Sequence, residues 1–412
     1  VSLGCFSPGF YLQALQRYQP GQPDPQDIEV FWPETGTVGQ IKVKAAATST
    51  AARPVLVFPD YEITVTYGGA GMPETIYLDD QSLGWHRMEG VAADLNLGSL
   101  APGKPYTPKP LPSGLVESSV SISATGGATL AATLTVPKGA SGKVPAVLLV
   151  AGPDADSRDR PWPRLPRSPL FEHLAAHLAG AGFASLRFDL RGRGASTGSA
   201  SGQSLSQLTQ DVGAALAALK AASAVDGGEV YLLSHGWGSV PALSTAGSGI
   251  KGLIAIAPVI ADLDEVTVYA GTSGWKVSGF SSKFVAAQKK WYEDELAKIS
   301  AGTYTGTRFL QRPVALWKDL LAFDGTTTLG ALSAPVLLLR GDQDLETPPE
   351  QLKAAAAAAA KAGKKNLTTS TLKGLSFILS AGKTSDLWES AMLPLELPAT
   401  ATQAITDWLK KN

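Results

Sequence analysis

Glu229-Val230-Tyr231-Leu232-Leu233 runs directly into Ser234-His235-Gly236-Trp237-Gly238. The first five residues, four of them apolar or aromatic, read as a buried strand. The small residues that follow read as a tight turn, and a helix starts near Trp237. A strand passing through such a turn into a helix is the setting of the G-x-S-x-G pattern. Its glycines are there because the turn has no room for larger side chains, and its central residue is strained and exposed. Here Ser234 takes the first small position, Gly238 keeps the last, and Gly236 stands at the centre. Glycine has no side chain with which to attack a substrate.

Working outward, the same strand–helix alternation extends through the C-terminal two thirds of the chain. Val116–Ala124 and Thr129–Val136 read as a hairpin across Gly126-Gly127. Val144–Val150, Ala184–Phe188, Glu229–Leu233, Leu253–Ala257, Val336–Leu339 and Leu367–Leu372 read as strands. Helices are expected at Leu170–Ala179, along the Leu205, Leu208, Val212, Leu216, Leu219 stripe, at Pro349–Ala362 and at Ala399–Leu409. Such alternation predicts an α/β fold, a mostly parallel sheet covered by helices on both faces. Residues 258–332 interrupt it with mainly helical sequence rich in aromatics, which fits a cap over the sheet's C-terminal edge.

Before residue 114 the pattern differs. Asp27–Trp32, Val38–Ala45, Val55–Phe58, Glu62–Tyr67 and Thr75–Leu78 are short strand-like runs between Gly and Pro punctuation, and Tyr11–Tyr18 reads as a short helix. Residues 1–100 are therefore expected to form a small β-rich accessory module. Residues 101–113, with Pro102, Pro105, Pro108, Pro110 and Pro112, form an extended linker, and residues 114–412 the α/β domain.

Composition bounds the function. Lys+Arg of 35 against Asp+Glu of 36 gives no electrostatic reason to expect nucleic acid or an anionic membrane as a partner. No apolar run is long enough to span a bilayer. Cys5 is the only cysteine, so no internal disulfide forms. The start at Val1 and the Ser/Thr-rich, weakly charged composition lead us to expect an exported protein. No cofactor motif is present.

The candidate chemistry lies after the strands, where open α/β sheets bind ligands. Asp344, in Arg340-Gly341-Asp342-Gln343-Asp344, stands where an acid would orient a histidine, and equally where a carboxylate would cap the next turn or pair with Arg340. No histidine follows His235, and Phe377 occupies the place after the last strand where a base is sought. Gly194-Ala195-Ser196-Thr197-Gly198 matches G-x-S-x-G literally, but it leaves a strand through a loop without entering a helix. Ser196 therefore reads as a loop-bonding residue. His173 and His177 share a helix face beside Glu172 but lack a third ligand, so no metal is expected and an exposed face is the reading. His235 reads as packed, and His86 has no evident partner.

These residues resemble a bacterial branch of the α/β-hydrolase superfamily, the serine esterases and aminopeptidase-like hydrolases with an N-terminal accessory domain. The likeness is carried by Leu148-Leu149-Val150-Ala151-Gly152 followed by Arg158-Asp159, by Phe188-Asp189-Leu190-Arg191-Gly192-Arg193-Gly194-Ala195-Ser196, and by Leu233-Ser234-His235-Gly236-Trp237-Gly238. Trp317-Lys318-Asp319-Leu320, Phe323-Asp324, Pro335 to Asp344 and Gly374-Leu375-Ser376-Phe377 continue it in order. The resemblance implies an α/β-hydrolase fold. It also implies a catalytic triad whose positions here hold Gly236, Asp344 and Phe377, with Ala151 at the family's usual histidine.

From those departures the expected function is a catalytically inactive structural or protein-binding subunit, joined to other chains as a homo- or hetero-oligomer. Two alternatives stand beside it. One is small-molecule binding in the substrate pocket, a small apolar ligand held by Gly152, Pro153, Trp237, Trp291 and Trp317. The other is a serine-hydrolase-like esterase that works with unconventional residues.

Overall fold

A computed structural model describes residues 114–159, 169–247, 249–277, 282–310, 312–381 and 397–412, together with the backbone of six earlier strands. Those six, β1 (Gln26–Trp32), β2 (Thr37–Ala45), β3 (Val55–Phe58), β4 (Tyr61–Tyr67), β5 (Pro73–Leu78) and β6 (Leu83–His86), pair antiparallel in chain order. Sequence reading located the first five and passed over β6, where His86 lies opposite Thr75. The expected Tyr11–Tyr18 helix, Cys5 and the proline-rich linker lie outside the described residues.

A second sheet of eight strands carries the rest. β7 (Leu115–Ser123) and β8 (Thr129–Pro137) form the expected hairpin, turned by Gly126 and Gly127 at φ 70° and 74°. β9 (Val144–Val150), β10 (Ala184–Phe188), β11 (Val225–His235), β12 (Gly252–Ile256), β15 (Val336–Gly341) and β16 (Leu367–Leu372) follow. The spatial order is β16-β15-β12-β11-β9-β10-β8-β7, parallel from β16 to β10 and antiparallel at the β10-β8-β7 edge. β11 sits centrally between β9 and β12, so the turn that leaves it opens in the middle of the sheet's C-terminal edge.

Where the central strands are buried on both faces they are mainly apolar. Leu148, Leu232, Leu233 and Ile254 have no exposure, as expected of parallel strands between two helical layers. The covering helices are α1 (Leu170–Gly180), α2 (Leu205–Ala221), α3 (Ser239–Thr245), α8 (Glu350–Lys361) and α9 (Ala399–Lys411). Ser204 begins α2 by accepting the backbone N–H of Gln207 at 3.2 Å, as a serine N-cap should.

Between β12 and β15 lie α4 (Leu263–Val277), α5 (Ser282–Ala301), the short hairpin β13 (Arg308–Phe309) and β14 (Arg312–Pro313), α6 (Val314–Leu321) and α7 (Gly325–Ala331). By its contacts the chain divides into two units, Val1–Pro105 with Trp275–Gln288, and Tyr106–Gly274 with Lys289–Asn412. No described helix is long and apolar enough to cross a membrane.

Candidate active site

The turn after β11 is built by backbone pressed against backbone. Gly236 adopts φ +53°, in the left-handed region that glycine enters without penalty. Gly238 lies against the carbonyls of Val150 and Ala151 at the end of β9, where any Cβ would collide. Gly152, on the β9 side of the same junction, leaves space that a Cβ would close to 2.9 Å from Trp237 Cβ. β9 and the turn can meet this closely only because both contribute glycine.

Phe377 fills the space that a side chain at 236 would need. A Cβ built on Gly236 would stand 2.9 Å from Phe377 Cζ. The phenyl ring is itself buried and lies 4.3 Å from the His235 ring. His235 Nε2 is 3.0 Å from the Phe377 carbonyl oxygen, so the imidazole donates its N–H there. Burial drives the His235 pKa down to about 4, and the imidazole is neutral at pH 7. The loop holding Phe377 is closed on itself: Ser376 N–H donates to the Ser380 carbonyl at 3.0 Å, and the two serine hydroxyls are also 3.0 Å apart.

Asp344 is fully buried, and its carboxylate is turned into its own loop. Oδ1 accepts the N–H groups of Glu346 at 2.7 Å and Thr347 at 3.0 Å, and Oδ2 accepts the Thr347 hydroxyl. Arg340 packs beneath, 3.8 Å from Oδ2, and donates to the carbonyls of Gly341, Asp344 and Thr347. Desolvation raises the Asp344 pKa, and Arg340 and the loop donors oppose that shift. Tyr269 from α4 donates to the Asp344 carbonyl at 3.0 Å.

The charged residues of the other motif blocks lock the neighbouring loops. Asp189 accepts the backbone N–H of Arg158 at 2.6 Å, its guanidinium at 2.7 Å, and the Ala195 N–H at 2.8 Å. Arg187 pairs with Asp159 at 2.5 Å and with Glu117 at 2.8 Å. Ser196 donates to the Asp189 carbonyl and accepts from the Ala131 N–H, a loop-bonding role. His173 and His177 are half-buried on α1, not exposed, and desolvation lowers the His177 pKa. No group of metal-ligating side chains occurs among the described residues.

Of the residues expected to hold a ligand, Gly152, Trp237 and Trp317 come together. The two indoles meet edge to face at 5.7 Å, and Trp317 is buried, donating to the Phe309 carbonyl at 2.7 Å. Pro153 follows Gly152 and is buried. Trp291 stands farther out, 44% exposed, and reaches this group through Phe309. A cleft of about 700 Å³ opens between α2, α6 and α7, among Leu205, Thr209, Asp319, Phe323 and Thr327, and none of the elbow residues lines it.

Sequence reasoning missed Arg312. Its guanidinium carbon lies 4.1 Å from the Trp237 ring centre and 4.8 Å from that of Trp317, and it pairs with Asp154 just beyond β9. The two partners are 158 residues apart, and no local pattern announces such a pair.

Residues 167–374 match the family model of the serine aminopeptidases of family S33, half of the chain, with Gly236 and Asp344 inside the match and Phe377 beyond its end. No curated protein matches the chain. Among solved structures, the chain is similar to the esterase Est1E from Butyrivibrio proteoclasticus, solved with ferulic acid. The two share 18% identity and a TM-score of 0.45, over 71% of this chain and 96% of that one. A thermophilic esterase from Thermogutta terrifontis shares 20% identity over 71% and 98%, with a TM-score of 0.44. An acetyl xylan esterase from Paenibacillus sp. R4 shares 16% over 74% and 86%, with a TM-score of 0.47. The family match corrects the expectation of a catalytically inactive structural or protein-binding subunit, which rested on two departing side chains. The matched stretch spans the elbow, the cap and the acid strand of a hydrolase family.

Proposed function

Since the chain belongs to the serine aminopeptidase family S33 of the α/β-hydrolases, we propose that it is an esterase-like hydrolase that cleaves a small acyl ester with residues other than the usual serine and histidine. The observation that carries this reading is the backbone of the elbow. Gly236 holds the left-handed conformation at φ +53°, and Gly238 and Gly152 keep the turn locked to the end of β9. In this fold the N–H of the residue after the nucleophile position, here Trp237, polarises the substrate carbonyl. That contribution comes from the main chain and does not depend on a side chain at 236.

With glycine at the centre, the nucleophile is water. Water adds to the acyl carbon, the acyl–oxygen bond breaks, and the alcohol leaves with the proton that water gives up. Serine hydrolases stripped of their triad retain about 10³–10⁴-fold acceleration over water from the oxyanion donors and binding alone. That range is the expected activity here.

The test is hydrolysis of p-nitrophenyl esters from acetate to octanoate, by the wild-type chain and by the Gly236→Ser/Phe377→His double variant. Turnover by the wild type within the stated range supports the reading. A gain of about 10²-fold or more in the double variant places nucleophile and base where the elbow and the β16 loop present them. A wild type indistinguishable from buffer overturns the proposal.

A further inference from the structure

The cap brings a guanidinium to the elbow and leaves one of its nitrogens without a partner among the described residues. Leu310, at φ 44°, turns the two-residue connection between β13 and β14, a geometry that tight hairpins require. Arg312 follows, and its side chain lies over the faces of Trp237 and Trp317. Nε donates to Asp154 Oδ1 at 2.8 Å and Nη2 donates to Oδ2. The residue is only 6% exposed. Nη1 is buried and has no hydrogen-bond partner among the described residues.

Two other buried arginines of this unit use every nitrogen, whereas Arg193 Nε shares the unpaired state of Arg312 Nη1. Arg340 uses Nε, Nη1 and Nη2 on backbone carbonyls. Arg191 uses all three nitrogens on Asp211 and Thr125. A buried donor left unpaired is costly, and native structures rarely keep one without a use. The Arg312 guanidinium sits over the ring of Trp237, the residue that directly follows Gly236.

We propose that Arg312 Nη1 is a ligand-recognition donor at the elbow, and that it takes the oxygen of an uncharged acyl compound. Charge balance selects the uncharged class. Asp154 already pairs with the guanidinium, so a carboxylate would meet no uncompensated cation beside Trp237 among the described residues. An ester or amide carbonyl brings an acceptor without that penalty. The half-buried Trp237 supplies apolar surface for the rest of the molecule. The inference deepens the hydrolase reading, since it names the ligand class at the same turn.

The test is equilibrium binding, by tryptophan fluorescence and calorimetry, of two probes with equal acyl chains: the unreactive neutral amide N-butylbutyramide, and butyrate. Wild type is expected to bind the amide more tightly than butyrate. Arg312→Met weakens amide binding at least about tenfold, the effect of one hydrogen bond from a charged donor. Arg312→Lys retains a cation for Asp154 but loses the planar fork, and shows the same loss with an unchanged thermal melt. Asp154→Asn strengthens butyrate binding about tenfold, because the cation is then unbalanced. No amide binding by wild type, or equal binding by Arg312→Met, overturns the subsite. Unchanged butyrate binding in Asp154→Asn overturns the choice of an uncharged ligand. Binding needs no turnover, so a silent esterase assay and a failed binding assay are read separately.

Discussion

At the scale of single residues, Gly236 and Phe377 are one feature. The left-handed backbone at 236 disfavours any side chain, and the phenyl ring occupies the place that such a side chain would take. A change at either position alone leaves a clash or a void, which is why the activity test alters both. His235, between them, yields a pH prediction. Its folded pKa of about 4 lies below the ordinary histidine value of 6.5, so between those values the unfolded chain binds the proton that the folded chain excludes. Its contribution to stability is complete above pH 6.5 and is lost as the pH falls towards 4. The loss amounts to about 2–3 kcal/mol by pH 4.5. Urea unfolding from pH 7.5 to 4.5, comparing wild type with His235→Gln, measures it. The variant's stability should fall less steeply, and identical slopes would sink the assignment. The positions of Gly236 and Phe377 were legible in the sequence because each sits at a fixed offset from a strand end. Arg312 and Asp154 were not, because neither lies in a motif and their pairing depends on where the cap hairpin folds back.

At the scale of elements, strands buried on both faces announce themselves as largely apolar runs, and β9 and β10 were legible to the residue; β16, the half-exposed strand at the sheet edge, was located to the residue as well. β11 begins four residues earlier than its apolar run suggests, because Asp226-Gly227-Gly228 reads as a turn yet continues the strand through an irregular register against β9. What the hydrophobic pattern does not show is how loops are fastened to elements, and here buried ion pairs do it. Arg191, in the loop after β10, donates to both carboxylate oxygens of Asp211 on α2, at 3.1 and 2.5 Å, and reaches the Thr125 carbonyl at 2.6 Å. The side chains are 5% and 1% exposed. Removing one partner of such a pair leaves the other charged and buried, which costs about 3–5 kcal/mol. Asp211→Ala should therefore lose stability of that order in urea unfolding. A change below about 1 kcal/mol would show that the pair does not fasten the loop.

At the scale of the whole molecule, the hydrophobic core of the described residues lies in the second unit. The described core runs from Ile122 to Leu409, and each of its residues falls within Tyr106–Gly274 or Lys289–Asn412. Each large aliphatic side chain so buried contributes about 1.5–3 kcal/mol relative to exposure. The eight-stranded sheet, its covering helices and every residue of the candidate site belong to that unit. We therefore expect a chain of residues 106–412 to fold without residues 1–105 and to unfold in urea in one cooperative transition. Near-UV circular dichroism should retain a signal from the packed indoles of Trp237 and Trp317. Residues 275–288 group by contacts with the first unit rather than with the sheet. Deleting residues 1–105 removes those contacts, so limited proteolysis of the shortened chain should cut first within 275–288. A shortened chain that lacks tertiary structure would show that the sheet depends on residues 1–105. First cleavage inside the sheet would mean that 275–288 is held by the second unit instead.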